Sequence, residues 1–161
     1  MLDIGGGFPG KYQGETVDLA AITTDITRAL AQLPYQVEVV IEPGRGLVAN
    51  AGVMVATVIG LAERKGLRWV HVDVGAFNGM MEALESENQL LFPVQDSRGG
   101  RLGRCHITGP SCDSQDTILF DARLSDDLAV GDQVYFYTTG AYTTSYASRF
   151  NGFDLPAVHC L

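Results

Sequence analysis

Apolar and polar positions divide this chain into two halves with different periods. From Leu2 to about Met54 the order is strand, glycine turn, helix, strand, the rhythm of a parallel α/β unit. Leu19, Ile22, Ile26, Leu30 and Leu33 recur at helical spacing and Pro34 follows as a stop, which predicts a helix with one buried face. Val37 to Ile41 is a short apolar run fit for a strand covered on both sides, and it ends in Glu42 and a Pro43-Gly44 turn. After about Val55 the period falls to two. Ala56 to Arg64 and Leu67 to Val74 flank Lys65-Gly66, and Val70, Val72 and Val74 alternate with Trp69, His71 and Asp73, so this segment predicts a hairpin. Further strands are predicted at Gly103 to Thr108, Thr117 to Ala122, Gln133 to Tyr137 and Ala157 to Cys160, separated by Gly, Asp and Ser turns. The second half therefore reads as a mostly antiparallel β domain.

Composition narrows the class. With 46% hydrophobic and 19% charged residues the chain can build a core, and it reads as a globular protein of cytoplasmic origin. A net charge of −8 argues against nucleic acid, whose phosphates are bound by Lys and Arg, and suits a cationic ligand better. No apolar run approaches the ~18 residues of a membrane span, and no basic leader with a cleavage site follows Met1. Three cysteines do not close a disulfide framework, and Cys105 and Cys112 stand too far from other ligands for a metal site.

Several residue groups can carry chemistry. Gly5, Gly6 and Gly7 follow a strand, where backbone N–H groups without a Cβ can approach an anion; a bare strand-to-helix turn uses the same residues. Arg45, just past the Pro-Gly turn, can present a forked guanidinium to phosphate. Glu42 and Arg45 also fit ordinary strand-end charges. Cys112 and Asp113 combine a thiol and a carboxylate at a turn, against a small buried hydrophobe and a turn residue bonding its own backbone. His71, His106 and His159 read as ordinary strand residues. A hydrolase built on Ser111, His106 and Asp113 lacks the G-x-S-x-G elbow.

Four segments, LDIGGGFPG (Leu2 to Gly10), IEPGR (Ile41 to Arg45), GPSCDSQD (Gly109 to Asp116) and GAYTTSYASRFNGF (Gly140 to Phe153), stand in the order they have in the pyridoxal-phosphate (PLP) decarboxylases of ornithine, lysine and related diamino acids, which this chain resembles over nearly its whole length. The resemblance implies the C-terminal portion of a PLP-binding α/β barrel over residues 1–54 and a β-sandwich or barrel-like domain over 55–161. It implies that Gly5, Gly6 and Gly7 hold the cofactor phosphate with Arg45 and Tyr142, and that Glu42 faces the pyridine nitrogen. Cys112 is then the proton donor to the substrate's Cα, while Asp113, Glu82 and Phe153 contact the substrate, with Glu85 a second candidate beside Glu82. The family's lysine that holds pyridoxal 5'-phosphate covalently and its ring-stacking histidine belong to an upstream region. Lys11 and Lys65, the two lysines here, lie outside that context. The implied function is the C-terminal part of an L-ornithine or L-lysine decarboxylase, making a diamine for polyamine synthesis, inactive alone and working as a homodimer or with the barrel portion, with Cys112 and Asp113 acting in trans. Asp113 and the Phe150 to Phe153 ending favour an amine-tailed substrate, whereas Val48 to Gly52 (VANAG) is similar to the diaminopimelate enzymes. A non-catalytic relative that captures a regulatory partner and an inactive structural remnant are the alternatives. The first half, short of neighbours, is expected to expose apolar surface.

Overall fold

The computed structural model describes residues 1–14, 17–87 and 90–161. Two short strands, β1 (Leu2–Asp3) and β2 (Val39–Val40), pair in parallel. The pairing continues past both strands, as Ile4 N–H donates to Val40 O (3.0 Å) and Glu42 N–H to Gly5 O (2.8 Å). This register sets the glycine loop and Glu42 side by side at the C-terminal ends of two parallel strands. Helix α1 (Leu19–Leu30) connects them; Asp18 caps it by accepting from Ala21 N–H at 2.9 Å. The predicted helix is present, but its buried face is not: α1 buries no residue, and Ile22, Ile26 and Leu30 only line an apolar groove of about 240 Å³ beside Ile4 and Phe8. One two-residue strand pair is too narrow to cover an apolar helical stripe. As expected, apolar surface is exposed here, at Leu2, Leu19, Val39, Ile41, Leu47 and Val48.

The rest is a six-stranded mixed sheet that curls into a nearly closed barrel. Its strands are β3 (Val53–Arg64), β4 (Leu67–Val72), β5 (Val94–Asp96), β6 (Leu102–Thr108), β7 (Thr117–Ser125) and β8 (Gln133–Tyr137), ordered β5-β8-β3-β4-β6-β7. Every pair is antiparallel except β4 with β6. The hairpin forms where the sequence puts it, with Arg64 opposite Leu67 and both Lys65 and Gly66 at positive φ. β3 serves both halves of the barrel: Val53 to Thr57 pair with β8, and after a bulge at Ile59 the strand pairs with β4. Met54, Ala56 and Val58 point inward with Val70, Val72, Ile107, Ile118, Leu124, Val134 and Phe136. Tyr12, from the segment before α1, joins this core and packs edge-on against Phe92 at 5.5 Å.

Two predicted features change. Ala157 to Cys160 is exposed coil, so His159 is not a strand residue. Pro156 precedes the run, and no described strand pairs with it. β5 went unpredicted because three residues after Pro93 carry no period. Its Asp96 closes the barrel. The buried carboxylate accepts from Ser125 N–H (2.7 Å) and Oγ (2.8 Å) on β7, and from Arg98 N–H (2.8 Å) and Gly99 N–H (3.2 Å) in the following turn. Arg68 reinforces the same corner by donating to Ser125 O (2.7 Å) and Leu124 O (2.8 Å).

A second buried carboxylate fixes the loop after β6. Asp116 accepts from Ala76 N–H (2.7 Å) and from Ser111 N–H (2.9 Å). It thereby welds loop 109–116 to Ala76–Met80, a single π-helical turn. The weld needs glycine on both sides, since a Cβ at Gly109 would fall 2.5 Å from the Asp116 oxygens and overlap the Gly75 backbone. The last helical turn, Phe150–Gly152, closes over this loop: Asn151 Nδ2 donates to Ser111 O at 2.7 Å, and the Phe77 and Phe150 rings lie 4.5 Å apart. Among the described residues no helix is long and apolar enough to cross a membrane.

Asp96→Asn is expected to lower stability by about 2–3 kcal/mol, read from the urea midpoint, because it breaks the bonds joining the two barrel edges. Burial acts to raise the Asp96 carboxyl, but the donors from Ser125, Arg98 and Gly99 outweigh it and hold the group below the usual carboxylate range. Its contribution is therefore complete above the unfolded-state value and is lost as pH falls through the lower folded value. The variant should lack this component of acid destabilisation. Gly109→Ala should cost about 3 kcal/mol and raise amide exchange throughout residues 109–116. Unchanged exchange there would show that the loop does not depend on the weld.

Candidate functional site

A cleft of about 830 Å³ opens where the glycine loop and Glu42 face helix α3 (Glu82–Glu85). Of the residues singled out in the sequence, Gly6, Gly7, Glu42, Arg45, Glu82, Glu85 and Tyr142 line it, although they come from four separate segments. Gly5 lies beside the lining, in the β1–β2 register. Gly5 and Gly7 take φ of +74° and +83°, and a Cβ at Gly6 would meet Glu42 O at 2.6 Å, so the loop can hold this shape only with glycine at these positions. Gly5 N–H is taken by Asp3 Oδ1 at 2.8 Å, whereas among the described residues the N–H groups of Gly6 and Gly7 have no partner. Two open amide donors at a strand end are the geometry that can receive an anion.

Arg45, the first residue of helix α2 (Arg45–Val48), supplies the cleft's positive charge. Its Nη1 lies 2.5 Å from Glu82 Oε2 and donates to Tyr12 Oη at 2.9 Å. The guanidinium carbon sits 4.9 Å from the centre of the Tyr142 ring. Burial works against the Arg45 charge, but the hydrogen bonds to Glu82 and Tyr12 outweigh it and raise the guanidinium above its ordinary value. It stays charged at any pH at which the protein folds. Tyr142 is itself held at φ +55°, a conformation rare for a non-glycine residue, which turns its ring over Arg45. Neither lysine lines the cleft: Lys65 occupies the β3–β4 turn, and Lys11 is exposed with its carbonyl accepting from Thr138 Oγ1.

Cys112 and Asp113 are not brought into this cleft, nor is Phe153. They form a second cluster on the welded loop and the C-terminal turn. Cys112 stands exposed at the loop tip at φ +61°, presented by a backbone strained for a side chain of its kind. Asp113 Oδ1 accepts from Gln115 N–H at 2.8 Å, the self-bonding turn geometry, while Oδ2 has no partner among the described residues. Ser111, His106 and Asp113 do not assemble a triad: Ser111 is held in the loop, and His106, on β6, packs edge-to-face with Trp69 (4.6 Å) and Phe120 (5.4 Å). Among the described residues no metal-ligand cluster occurs.

Sequence reasoning missed three residues that build these sites. Tyr12 carries no local signal, because its partner Arg45 is distant in the chain. Asp116 stood inside a recognised motif but had no role; a carboxylate that folds into the interior needs several donors, and only the fold reveals which. Asn151 was legible in principle, since Asn-Gly marks a left-handed turn, and it takes φ +54°.

Donor set and loop geometry fit an anionic group such as a PLP phosphate at Gly6, Gly7 and Arg45, with the Glu42 carboxylate beside the loop. The chain is similar to known proteins along its length. Residues 13–140 match the family model described as the pyridoxal-dependent decarboxylase, C-terminal sheet domain. The lysine/ornithine decarboxylase of Selenomonas ruminantium is 35% identical over 158 residues, covering 96% of this chain and 39% of the relative. A diaminopimelate decarboxylase of Helicobacter pylori is 33% identical over 152 residues, covering 94% of this chain and 37% of the relative. The crystal structure of lysine/ornithine decarboxylase from Vibrio vulnificus complexed with cadaverine superposes with a TM-score of 0.83 at 39% identity, over 96% of this chain and 42% of that one. The chain thus spans about two fifths of the length of the relatives it matches. The family match and the superposition agree, and the chain belongs to the pyridoxal-dependent decarboxylases, whose C-terminal sheet domain it contains.

Proposed function

We propose that this chain is the C-terminal part of a PLP-dependent decarboxylase that acts on an amine-tailed diamino acid, L-ornithine or L-lysine, and releases a diamine of the kind used in polyamine synthesis. In this reading residues 1–54 are the last portion of an α/β barrel and 55–161 are the sheet domain. The observation that carries it is the convergence of Gly6, Gly7, Glu42, Arg45 and Tyr142 on one cleft from separate segments. The lysine/ornithine relatives, and the cadaverine and putrescine bound in solved structures of such enzymes, support the substrate class. The diaminopimelate relatives are the competing possibility.

PLP, when bound, supplies an electron sink for the pair left behind as the α-carboxylate departs as CO₂. The chain's own residues bind and position. Gly6 and Gly7 N–H groups, Arg45 and Tyr142 hold the phosphate, with Gly5 fixing the loop. Glu42 keeps the proton on the ring nitrogen. Cys112 Sγ returns a proton to the substrate α-carbon, Asp113 Oδ2 accepts from the distal ammonium, and Phe153 packs on the methylene chain. Because Cys112 and Asp113 lie outside the cleft of their own chain, this reading has them serve the cleft of a second subunit in a homodimer. A one-methylene difference in tail length is worth only about 1–3 kcal/mol in such a pocket, so both ornithine and lysine fit the reading.

With excess PLP the chain alone should release no CO₂ from ornithine or lysine above background, since no lysine lines the cleft. Supplied with an upstream barrel portion carrying a lysine, it should yield putrescine or cadaverine. Cys112→Ala and Asp113→Ala should each then reduce turnover by about 100-fold or more. Unchanged turnover in both variants, or turnover by the isolated chain at an enzymatic rate, would contradict the reading.

A further inference from the structure

Arg45 is the only cationic side chain lining the cleft among the described residues, and its position is set by groups that are themselves immobile. Tyr12 is 3% exposed and packed on Phe92, so its hydroxyl is fixed by the core. Glu82 is 7% exposed and sits on α3, across the cleft from α2. Both engage the same nitrogen, Nη1, at 2.9 and 2.5 Å. Among the described residues Nε and Nη2 have no partner. A guanidinium offers five donors in a rigid plane, so gripping one corner orients the others.

We propose that Tyr12 and Glu82 are positioning residues that hold Arg45 by Nη1 and present its open edge to the anionic end of a ligand in the cleft. The proposal rests on the reading of this cleft as a phosphate site. It replaces a direct substrate contact for Glu82, whose buried carboxylate is committed to Arg45. The exposed Glu85, one turn further along α3, carries no such commitment. A free arginine at the same place would sample many rotamers and bring its fork to the phosphate only part of the time. Glu82 alone could also compete with an entering anion. Tyr12 argues against simple competition, because a neutral hydroxyl shares Nη1 and brings no charge to displace.

The test uses the full chain and compares its affinity for PLP and for pyridoxal, which lacks the phosphate, by calorimetry, with inorganic phosphate as competitor. The unaltered chain should prefer PLP. Glu82→Ala and Tyr12→Phe should each shrink that preference about tenfold, the scale of one charge-assisted hydrogen bond, while pyridoxal affinity stays level. Glu82→Gln, which keeps an acceptor at the same reach, should restore most of the preference. Equal losses for both ligands, or tighter PLP binding by Glu82→Ala, would overturn the assignment while leaving the phosphate site in place. An unaltered chain with no preference for PLP would overturn the phosphate site and the assignment together. If Glu82→Ala does not fold, the isosteric Tyr12→Phe decides alone.

Discussion

One buried carboxylate joins the loop that carries Cys112 to the turn that leads into the cleft. Asp116, 1% exposed, holds backbone N–H groups from two segments that have no ladder between them, Ala76 on one side and Ser111 on the other. A buried carboxyl group is costly unless donors satisfy it, and here the donors come from the loop and the π-helical turn, which it holds together. Its consequences reach further than the bonds themselves. The π-helical turn leads directly into α3 and Glu82, and the loop carries Cys112 and Asp113. One carboxylate therefore helps position the Cys112 loop and the α3 side of the cleft, although they face different surroundings.

A second consequence concerns strain. Cys112, Tyr142 and Asn151 all adopt left-handed backbone conformations without being glycine. Each such residue costs of order 1–3 kcal/mol, and the cost is sustained only where the surroundings fix the backbone more than once. Cys112 follows Ser111, which is bonded through its N–H to Asp116 and through its carbonyl to Asn151. Tyr142 follows Gly140, whose N–H donates to Ala49 O at 2.9 Å. At these three positions hydrogen bonds of neighbouring residues hold the left-handed backbone; Lys65, in the hairpin turn, shows that such conformations also serve turns.

Local pattern made much of this legible. Period-two alternation in the sequence located β4, and Lys65-Gly66 located the hairpin turn; three of the four motifs supply cleft residues, because their chemistry is concentrated in short segments, while the GPSCDSQD loop lies outside the cleft. What stayed hidden depends on distant partners. Asp96 and Ser125 close the barrel across 29 positions, and Tyr12 meets Arg45 across 33. Neither pairing has a periodic trace. Ala157 to Cys160 differs for a related reason: its composition suits a strand, but a strand also needs a pairing partner, which composition does not report. The apolar stripe of α1 was read correctly as a stripe, while the surface that would bury it lies outside the contacts this chain can make alone.

That last point bears on how the cleft is held. Its Arg45 wall is anchored through Tyr12 and Glu82 to a sheet whose central residues are fully buried. Its Gly6 and Gly7 wall rests on a two-residue parallel pair and a helix with no buried residue. Stability follows local burial, so the two walls differ in the free energy needed to displace them. The difference places the rigid charge on one side and the adaptable amide cradle on the other. Covering the Ile22, Ile26 and Leu30 stripe would remove about 25 cal/mol per Å² of apolar area from water and would stiffen the glycine loop through Ile4 and Phe8, which share that groove. Gly6 and Gly7 line the same groove, so a body that packs on α1 meets the glycine loop from behind and fixes the side of the cleft that this chain leaves loosely supported.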